Sequence, residues 1–385
     1  MKTFIKNGTL LTADGLVENN VLIIEDGIIR EVLPVETIDD MDGITIDATG
    51  LYIAPGFIDI HFHGAMGKDA MDAEARSLQE MSDFCARHGV TSFYPTTWSA
   101  APVDILAAIN CVKLSKDTVK GAQILGVHVE GPFVDMKYRG AQLPTMIRNP
   151  DKKEYQTWFD TGMVKIVTCA PELEGGDEFI KEAVRNDIRI SIGHSQATYK
   201  QVLAAADIGA TQATHIFNGM VGLHHRDPGT VGGILDDDRI LAQVICDGVH
   251  LHPAIVRFIL RAKTSSKMVL ITDSIRGAGL PDGDYENKGQ RFSVRNGVAR
   301  TPEGGLSGST LTLDQALGNF VNFTGSTLEE AVSIVTLVPA IEMGISDIKG
   351  KIASGYDADI VLLNHELEVE KTIVKGNVVY SKDQR

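Results

Sequence analysis

Many apolar runs of this sequence end at, or just before, a side chain that can bind a metal ion or transfer a proton. Such side chains stand at six places: His61 with His63, Glu130, His194, His215, Asp247 with His250, and Asp273. Imidazole and carboxylate ligands together suit zinc, iron, manganese or cobalt. If the fold brings these side chains to one point, the sequence predicts a divalent transition-metal site.

The immediate surroundings of four of these residues support that interpretation. His61 and His63 alternate along an extended run, so both rings face the same side of a strand, as one chelated ion requires. Glu130 and Asp273 each end an apolar run. A carboxylate buried there is costly unless a cation compensates its charge. Each of the two carboxylates therefore points to a bound metal independently of the histidines.

The runs themselves predict the elements that position these groups. Eight β-rich runs alternate with helical patterns, which is typical of βα units that build a parallel sheet. The runs are Gly56–His61, Val90–Pro95, Ile124–Glu130, Val164–Cys169, Ile188–His194, Ala210–His215, Leu241–Asp247 and Met268–Asp273. Eight is the count of an α/β fold of the TIM-like (β/α)8 barrel type, in which the carboxyl ends of all strands share one face. An open doubly wound sheet has the same alternation.

Other segments predict how the barrel is framed. A helix is expected over residues 74–88, with Gly89 as its stop, and another begins at Pro102. Residues 277–289, rich in Gly, Asp and Asn, are interpreted as a mobile loop near the site. The two chain ends carry only short strand patterns. We therefore expect a small β-sandwich domain from residues 1–53 and 345–385, and a barrel domain over residues 54–344.

Composition and charge exclude several classes of protein. The chain has 385 residues, of which 43% are hydrophobic and 23% charged, so a soluble globular protein without a membrane span or signal peptide is expected. The formal net charge of −15 argues against nucleic acid or an anionic membrane as a partner. The four scattered cysteines favour a reducing cytoplasm over a disulfide scaffold. An anionic substrate would need a locally positive pocket, most simply one with arginine.

Several motifs carry a family resemblance. Pro55-Gly56-Phe57-Ile58-Asp59-Ile60-His61-Phe62-His63-Gly64 resembles the first-strand signature of the amidohydrolase superfamily. Further motifs resemble the N-acetylglucosamine-6-phosphate deacetylase family within it: His128-Val129-Glu130-Gly131-Pro132-Phe133, Gly193-His194-Ser195, Thr214-His215-Ile216-Phe217-Asn218, Asp247-Gly248-Val249-His250 and Thr272-Asp273. The resemblance extends from the N-terminal strands to Ala358-Asp359-Ile360-Val361.

The resemblance implies a metal-dependent amide hydrolase. One ion would bind to Glu130, His194 and His215. A second would bind to His61 and His63, share Glu130 and be approached by Asp273. Some members of the family lack the two histidines and bind one ion, so the presence of His61 and His63 favours the form with two ions per subunit. Many relatives bridge their metals with a carbamylated lysine, and a glutamate at position 130 removes that need.

The same resemblance assigns the reaction and the substrate contacts. The implied products are acetate and glucosamine 6-phosphate, within amino-sugar catabolism and cell-wall sugar recycling. Asp273 would move the proton, and His250 would hydrogen-bond the carbonyl oxygen. The implied substrate-binding residues are Ala141, Gln142, Asn218, Gly219, Arg226, Asp247, His250, Leu306, Ser307 and Gly308. Gly219 stands where an Ala is common in the family, and Gln142 where some members have His.

Phosphate recognition and two alternative functions complete the expectations. Arg226 is the implied phosphate ligand, and His224 or His225 could contribute across the interface of a homodimer or larger homo-oligomer. A cyclic amidohydrolase of the dihydroorotase or hydantoinase type is one alternative. A non-catalytic assembly protein on the same scaffold is the other, although such a protein would be expected to have lost metal ligands.

Overall fold

Eight parallel strands form a barrel at the centre of the molecule. The computed structural model describes residues 2–12, 15–38 and 42–384. The barrel strands, in chain order, are Phe57–Phe62, Val90–Thr97, Val127–Glu130, Val164–Cys169, Arg189–Ile192, Ala210–Ala213, Leu241–Ile245 and Met268–Ile271. Each pairs in parallel with the next. The eighth returns to the first, because Asp273 N donates to His61 O at 2.9 Å and Phe62 pairs with Ser274. This confirms the predicted parallel barrel.

Helices follow the barrel strands and cover them from outside. The helices are Ala75–Arg87, Pro102–Ser115, Lys152–Phe159, Gly176–Arg185, Tyr199–Asp207, Gly229–Asp236, Pro253–Lys263, Leu313–Thr324, Leu328–Ser333 and Leu337–Glu342. The first ends just before Gly89, whose φ of 76° suits a glycine stop, and Pro102 occupies the first turn of the second. Both helix predictions are therefore confirmed. Within the described ranges, no helix is both long and apolar enough to cross a membrane.

Several barrel strands are shorter than predicted, and the difference lies at the functional residues. The fifth, sixth and eighth strands end at Ile192, Ala213 and Ile271, rather than at the three site residues that follow them. His194, His215 and Asp273 instead have φ angles of 48°, 30° and 48°. Left-handed backbone costs a non-glycine residue about 1–3 kcal/mol. The chain leaves the extended conformation at these points, and the side chains reach over the mouth of the barrel.

Two sheets from the chain ends pack on one another beside the barrel. One contains, in spatial order, Ile28–Pro34, Asn20–Glu25, Lys2–Lys6 and Ile44–Asp47. The other contains Asn377–Ser381, Val369–Val374, Ile360–Leu363, Tyr52–Pro55, Thr9–Thr12 and Gly15–Val17. Both contribute to one core cluster, which includes Ile5, Leu22, Ile53 and Ile360. The boundary expected after residue 53 falls inside the strand Tyr52–Pro55.

A small antiparallel sheet follows the eighth barrel strand. It consists of Gly283–Asn287, Gln290–Arg295 and Val298–Arg300, and Phe292, Val294 and Ala299 form its core. The interpretation of residues 277–289 as a mobile loop is therefore wrong from residue 283 onward. One glycine of that segment serves a hairpin turn: Gly289 has a φ of 88° between the first two strands.

Candidate active site

The first cluster of potential metal ligands joins the third, fifth and sixth barrel strands. Glu130 is the last residue of its strand, and His194 and His215 lie two residues beyond theirs. Glu130 Oε1 lies 3.1 Å from His194 Nε2 and 3.0 Å from His215 Nε2, and the two nitrogens are 3.2 Å apart. All three residues are buried. The sequence prediction that these distant residues converge is confirmed.

The second cluster lies beside the first, at the junction of the first and eighth strands. His61 Nε2 and His63 Nε2 are 3.1 Å apart, and Asp273 Oδ1 lies 3.3 Å and 3.2 Å from them. Glu130 connects the clusters, with Oε1 3.6 Å from His61 Nε2 and Oε2 3.3 Å from His63 Nε2. Oε1 of Glu130 therefore lies near both clusters and Oε2 near the second, so this one carboxylate can serve both.

The four histidine rings share one orientation. In each, Nδ1 contacts a carbonyl oxygen, which can only accept a hydrogen bond, so Nδ1 carries the proton. The acceptors are Gln243 Oε1 for His61 at 3.2 Å, Thr96 O for His63 at 3.1 Å, Tyr138 O for His194 at 2.8 Å and Asn218 O for His215 at 3.1 Å. Every Nε2 lone pair is therefore directed into the site. Such outer contacts are typical of metal-binding histidines.

This donor set fits divalent metal ions. The atoms that converge are imidazole lone pairs and carboxylate oxygens, all of them electron-pair donors within 4.8 Å of one another in each cluster. Without a cation or a proton between them, such atoms repel one another in a buried site. Nitrogen and oxygen ligands of this kind suit zinc, iron, manganese or cobalt.

Both carboxylates of the clusters stay ionised. Burial alone would raise the pKa of Asp273, but the His61 and His63 rings hold that pKa down, at about 2. Burial also opposes ionisation of Glu130, whereas the histidines around it hold its pKa well below its usual range. An ionised Asp273 at the edge of the site can accept a proton from water.

His250 faces the same cavity and is held by Asp247. Asp247 Oδ2 accepts from His250 Nδ1 at 2.6 Å, and Asp247 Oδ1 accepts from the backbone N–H groups of Val249 and His250 at 2.8 Å each. These contacts turn His250 Nε2 away from the carboxylate. His250 lines the cavity, whereas Asp247 lies behind it and does not. Asp247 thus positions His250 in this structure.

The clusters open into a cavity of about 370 Å³, a volume within the range typical of small-molecule sites. Nine residues expected from the sequence line it: Ala141, Gln142, Asn218, Gly219, His250, Asp273, Leu306, Ser307 and Gly308. Gln142 is held by Ser99, whose backbone N–H and hydroxyl both donate to its Oε1. Of the metal-ligand candidates, His63, Glu130, His194 and His215 also reach the cavity wall, and His61 is fully buried beneath it.

Ten further lining residues are absent from those predicted, and five of them belong to two parts of the wall that the sequence did not indicate. Asn287, Gln290 and Phe292 come from the antiparallel sheet. Asp69, in the short strand Lys68–Asp69, and Trp98 come from the segments after the first two barrel strands. Asp69 accepts from Asn287 Nδ2 at 2.6 Å and from Trp98 Nε1 at 3.3 Å. The sequence held one signal for the sheet: an Asn-Gly dipeptide at residues 296–297, a strong hairpin marker between short β-rich runs.

Arg226 lies outside the cavity wall. It is exposed on the loop before the helix Gly229–Asp236, with its Nη1 2.8 Å from His225 Nε2. Among the described residues, no Lys or Arg lines the cavity. The locally positive pocket expected for an anionic substrate is therefore not formed by arginine side chains of this one chain.

Comparison with known proteins is consistent with this geometry. Residues 52–379 match the amidohydrolase family. The N-acetylgalactosamine-6-phosphate deacetylase of Escherichia coli O157:H7 is 36% identical over 96% of this chain and 97% of its own. The N-acetylglucosamine-6-phosphate deacetylase of Bacillus subtilis (strain 168) is 35% identical over 98% and 96%.

Solved structures agree as well. N-acetylglucosamine-6-phosphate deacetylase from Pasteurella multocida superposes with a TM-score of 0.94 at 27% identity, covering 98% of this chain and 99% of that one. A variant of the Mycobacterium smegmatis deacetylase, in complex with N-acetyl-D-glucosamine-6-phosphate, has a TM-score of 0.91 at 30% identity and covers 99% of both chains.

The barrel and its paired histidine–carboxylate clusters are those of a hydrolase class, and the chain belongs to the amidohydrolase family. Within that family it falls among the amino-sugar 6-phosphate deacetylases, to which its relatives at 35–36% identity belong. The resemblance found in the sequence motifs is thereby confirmed.

Proposed function

We propose that this protein hydrolyses N-acetyl-D-glucosamine 6-phosphate to D-glucosamine 6-phosphate and acetate, in amino-sugar catabolism and cell-wall sugar recycling. The observation that carries the proposal is the convergence of six candidate metal ligands in two adjoining clusters. Nearly the full length of the chain also matches N-acetylglucosamine-6-phosphate deacetylases. One or two zinc, iron, manganese or cobalt ions per subunit would bind to Glu130, His194 and His215 and to His61, His63 and Asp273.

The chain's own residues account for the proton transfers. A divalent ion bound here would polarise the amide carbonyl and ease ionisation of water. Asp273, ionised at neutral pH, would take the proton from the attacking water and deliver it to the amine as the C–N bond breaks. His250, whose Nδ1–H donates to Asp247, would in its protonated form also donate from Nε2–H to the carbonyl oxygen as that oxygen gains negative charge.

The remaining cavity residues would hold the sugar. The backbone N–H of Gly219 and the side chains of Gln142 and Ser307 offer polar contacts at the wall. Asn218 also lines it, and its backbone N–H donates to His215 O at 3.0 Å. Gln290 donates to Ala141 O, which joins the antiparallel sheet to this wall. The sheet therefore supports the place where we expect the sugar ring.

We further propose that Arg226 binds the phosphate, and that the enzyme is a homodimer or larger homo-oligomer in the cytoplasm. The absence of Lys and Arg from the described cavity wall supports this, because a phosphate then needs a cation from an exposed loop, of this chain or of a second copy. His224 and His225 stand on the same loop. Arg226→Gln should raise KM for the phosphorylated substrate and leave hydrolysis of unphosphorylated N-acetylglucosamine unchanged.

A substrate panel tests the function. It compares N-acetylglucosamine 6-phosphate, its unphosphorylated form, N-acetylgalactosamine 6-phosphate and dihydroorotate. The galactosamine epimer is the second candidate, because one 36%-identical relative is a deacetylase of that sugar. Fastest hydrolysis of dihydroorotate would favour the cyclic amidohydrolase alternative. No hydrolysis in the panel, and no ion retained from zinc, iron or manganese, would favour a non-catalytic assembly protein.

Residues 1–53 and 345–385 are proposed to form a small β-sandwich domain apart from the barrel domain of residues 54–344. Support comes from the separate core that the two terminal sheets share. We expect a hydrogen-exchange experiment to show that the backbone amides of the two terminal sheets exchange together, as one cooperative unit distinct from the barrel.

A further inference from the structure

A ring of polar side chains lies inside the barrel, beneath the metal-facing atoms. It consists of His128, Thr168, Ser191, Thr214 and Gln243, which lie on or directly after the third to seventh barrel strands. We call these five residues the polar ring. All are fully buried. Branched apolar side chains usually fill such an interior, and a polar layer is costly unless each of its groups is hydrogen-bonded.

The hydrogen bonds of the polar ring run in one direction. His128 Nδ1 donates to Ile60 O at 3.0 Å. With the ring proton on Nδ1, Nε2 of His128 accepts from the Thr168 hydroxyl at 2.7 Å. Thr168 Oγ1 then accepts from Thr214 at 2.7 Å, and Thr214 Oγ1 from Ser191 at 2.6 Å. Each of the three hydroxyl groups thus uses its single proton in one of these hydrogen bonds.

That direction determines how the Gln243 amide is turned. Since the Ser191 proton goes to Thr214, Ser191 Oγ can only accept, and Gln243 Nε2 donates to it at 3.4 Å. The same amino group donates to Gln212 Oε1 at 2.9 Å. Both contacts place the amino group on that side of Gln243, and its Oε1 on the side of His61 Nδ1, 3.2 Å away.

His61 differs in this respect from the other three metal-facing histidines. Their Nδ1 atoms donate to backbone carbonyls, whereas that of His61 donates to the side chain of Gln243. We propose that Gln243, oriented by the polar ring, is a positioning residue that keeps His61 in the Nδ1–H tautomer and so controls ion binding at the cluster of His61, His63 and Asp273. The inference rests on the proposed metal-dependent function.

Cobalt binding to the full chain tests this proposal. Stripped protein is titrated with Co²⁺, and the two affinities are read from the cobalt absorption spectrum and from metal content after dialysis. Gln243→Leu removes the acceptor at similar volume, and Gln243→Met is the second variant should leucine prevent folding. We expect the weakening typical of a lost outer contact, about 10- to 100-fold, in one of the two affinities, with the other unchanged.

Two further variants separate positioning from packing. Gln243→Glu keeps an oxygen towards His61. Its second oxygen faces Gln212, which can turn its amino group from Met343 Sδ, 3.7 Å away, and from Glu342 to donate to that oxygen. This variant should retain both ions. Val244→Ala, at the next and fully buried position of the same strand, loses packing without touching the polar ring and should also retain both.

Unchanged Co²⁺ affinities in folded Gln243→Leu or Gln243→Met would overturn the proposal. Equal weakening in Val244→Ala would overturn it too, since the effect would then be one of packing. The titration uses no substrate, so a failure of the deacetylase assignment shows in the substrate panel and leaves this result intact.

Discussion

Replacement of Asp273 by asparagine tests the proposed proton transfer. Asp273 Oδ1 lies 3.3 Å from His61 Nε2 and 3.2 Å from His63 Nε2, and its carboxylate is ionised at neutral pH. Asn has nearly the same size but cannot accept the proton of the attacking water. The other cluster does not include residue 273, so its ion should remain bound.

The expected loss follows from the step that Asp273 performs. General acid–base catalysis contributes about 10²- to 10⁴-fold to rate, or about 3–5 kcal/mol at about 1.4 kcal/mol per factor of ten. The loss should appear in kcat, with little change in KM, because the carboxylate acts on the reacting atoms more than on the sugar. The assay is acetate release from N-acetylglucosamine 6-phosphate at saturating substrate, with metal content measured on the same sample.

A matched control removes the same charge elsewhere. Asp238→Asn changes an exposed aspartate outside the cavity and should leave kcat unchanged. Asp273→Asn with kcat within about threefold of wild type (0.65 kcal/mol at about 1.4 kcal/mol per tenfold change), and with metal bound, would refute the role given to this residue.

Three other changes give distinct results. Gly219→Ala would add a Cβ 2.9 Å from His194 Nδ1 at a φ of +60°, so we expect about tenfold weaker metal binding by dialysis, a typical effect of disturbing a ligand's outer contact. Asp247→Asn weakens the hold on His250 and should lower kcat about 10-fold, as loss of a charged hydrogen bond of about 1.5 kcal/mol implies. Burial would raise the pKa of Asp247, but His250 lowers it below its value in the unfolded chain. The stability that this carboxylate adds is therefore present above about pH 4, the pKa of an unfolded aspartate, and is lost as the pH falls through the lower pKa of the folded protein. Urea unfolding of wild type and Asp247→Asn from pH 3 to 7 measures this loss. Lys349→Ala leaves the buried Asp359 and the half-buried Asp357 without their cation and should lower the free energy of unfolding by about 3–5 kcal/mol, without changing kcat of the folded enzyme.

The barrel and its ligands could be predicted because their signals are local. Each strand is a short β-rich run, and the rule that parallel strands present their carboxyl ends on one face brings distant side chains together without any knowledge of packing. This explains why Glu130, His194 and Asp273 were expected in one site.

Other features depend on packing that no local pattern encodes. The left-handed backbone at His194, His215 and Asp273 could not be read from residue type, because positive φ is uncommon even for His and Asp, although these two types adopt it more often than most. The antiparallel sheet that brings Asn287 and Gln290 to the cavity was hidden in a segment whose glycines also suit a loop.

The direction of the polar ring is likewise invisible in sequence. Ser, Thr and Gln on barrel strands are ordinary residues until the distances show which of them donate to which. The exposed position of Arg226 depends on how the loop before the helix Gly229–Asp236 folds, which residue type alone does not determine.

Product formation by stripped and reloaded protein tests the central claim most directly. The protein is dialysed against a chelator, divided, and reloaded with zinc, iron, manganese or cobalt, and acetate and glucosamine 6-phosphate are followed by proton NMR from N-acetylglucosamine 6-phosphate. We predict equimolar products from at least one reloaded sample and none from the stripped one. Equal rates in stripped and reloaded protein, or no acetate from any sample that has bound metal, would contradict the claim.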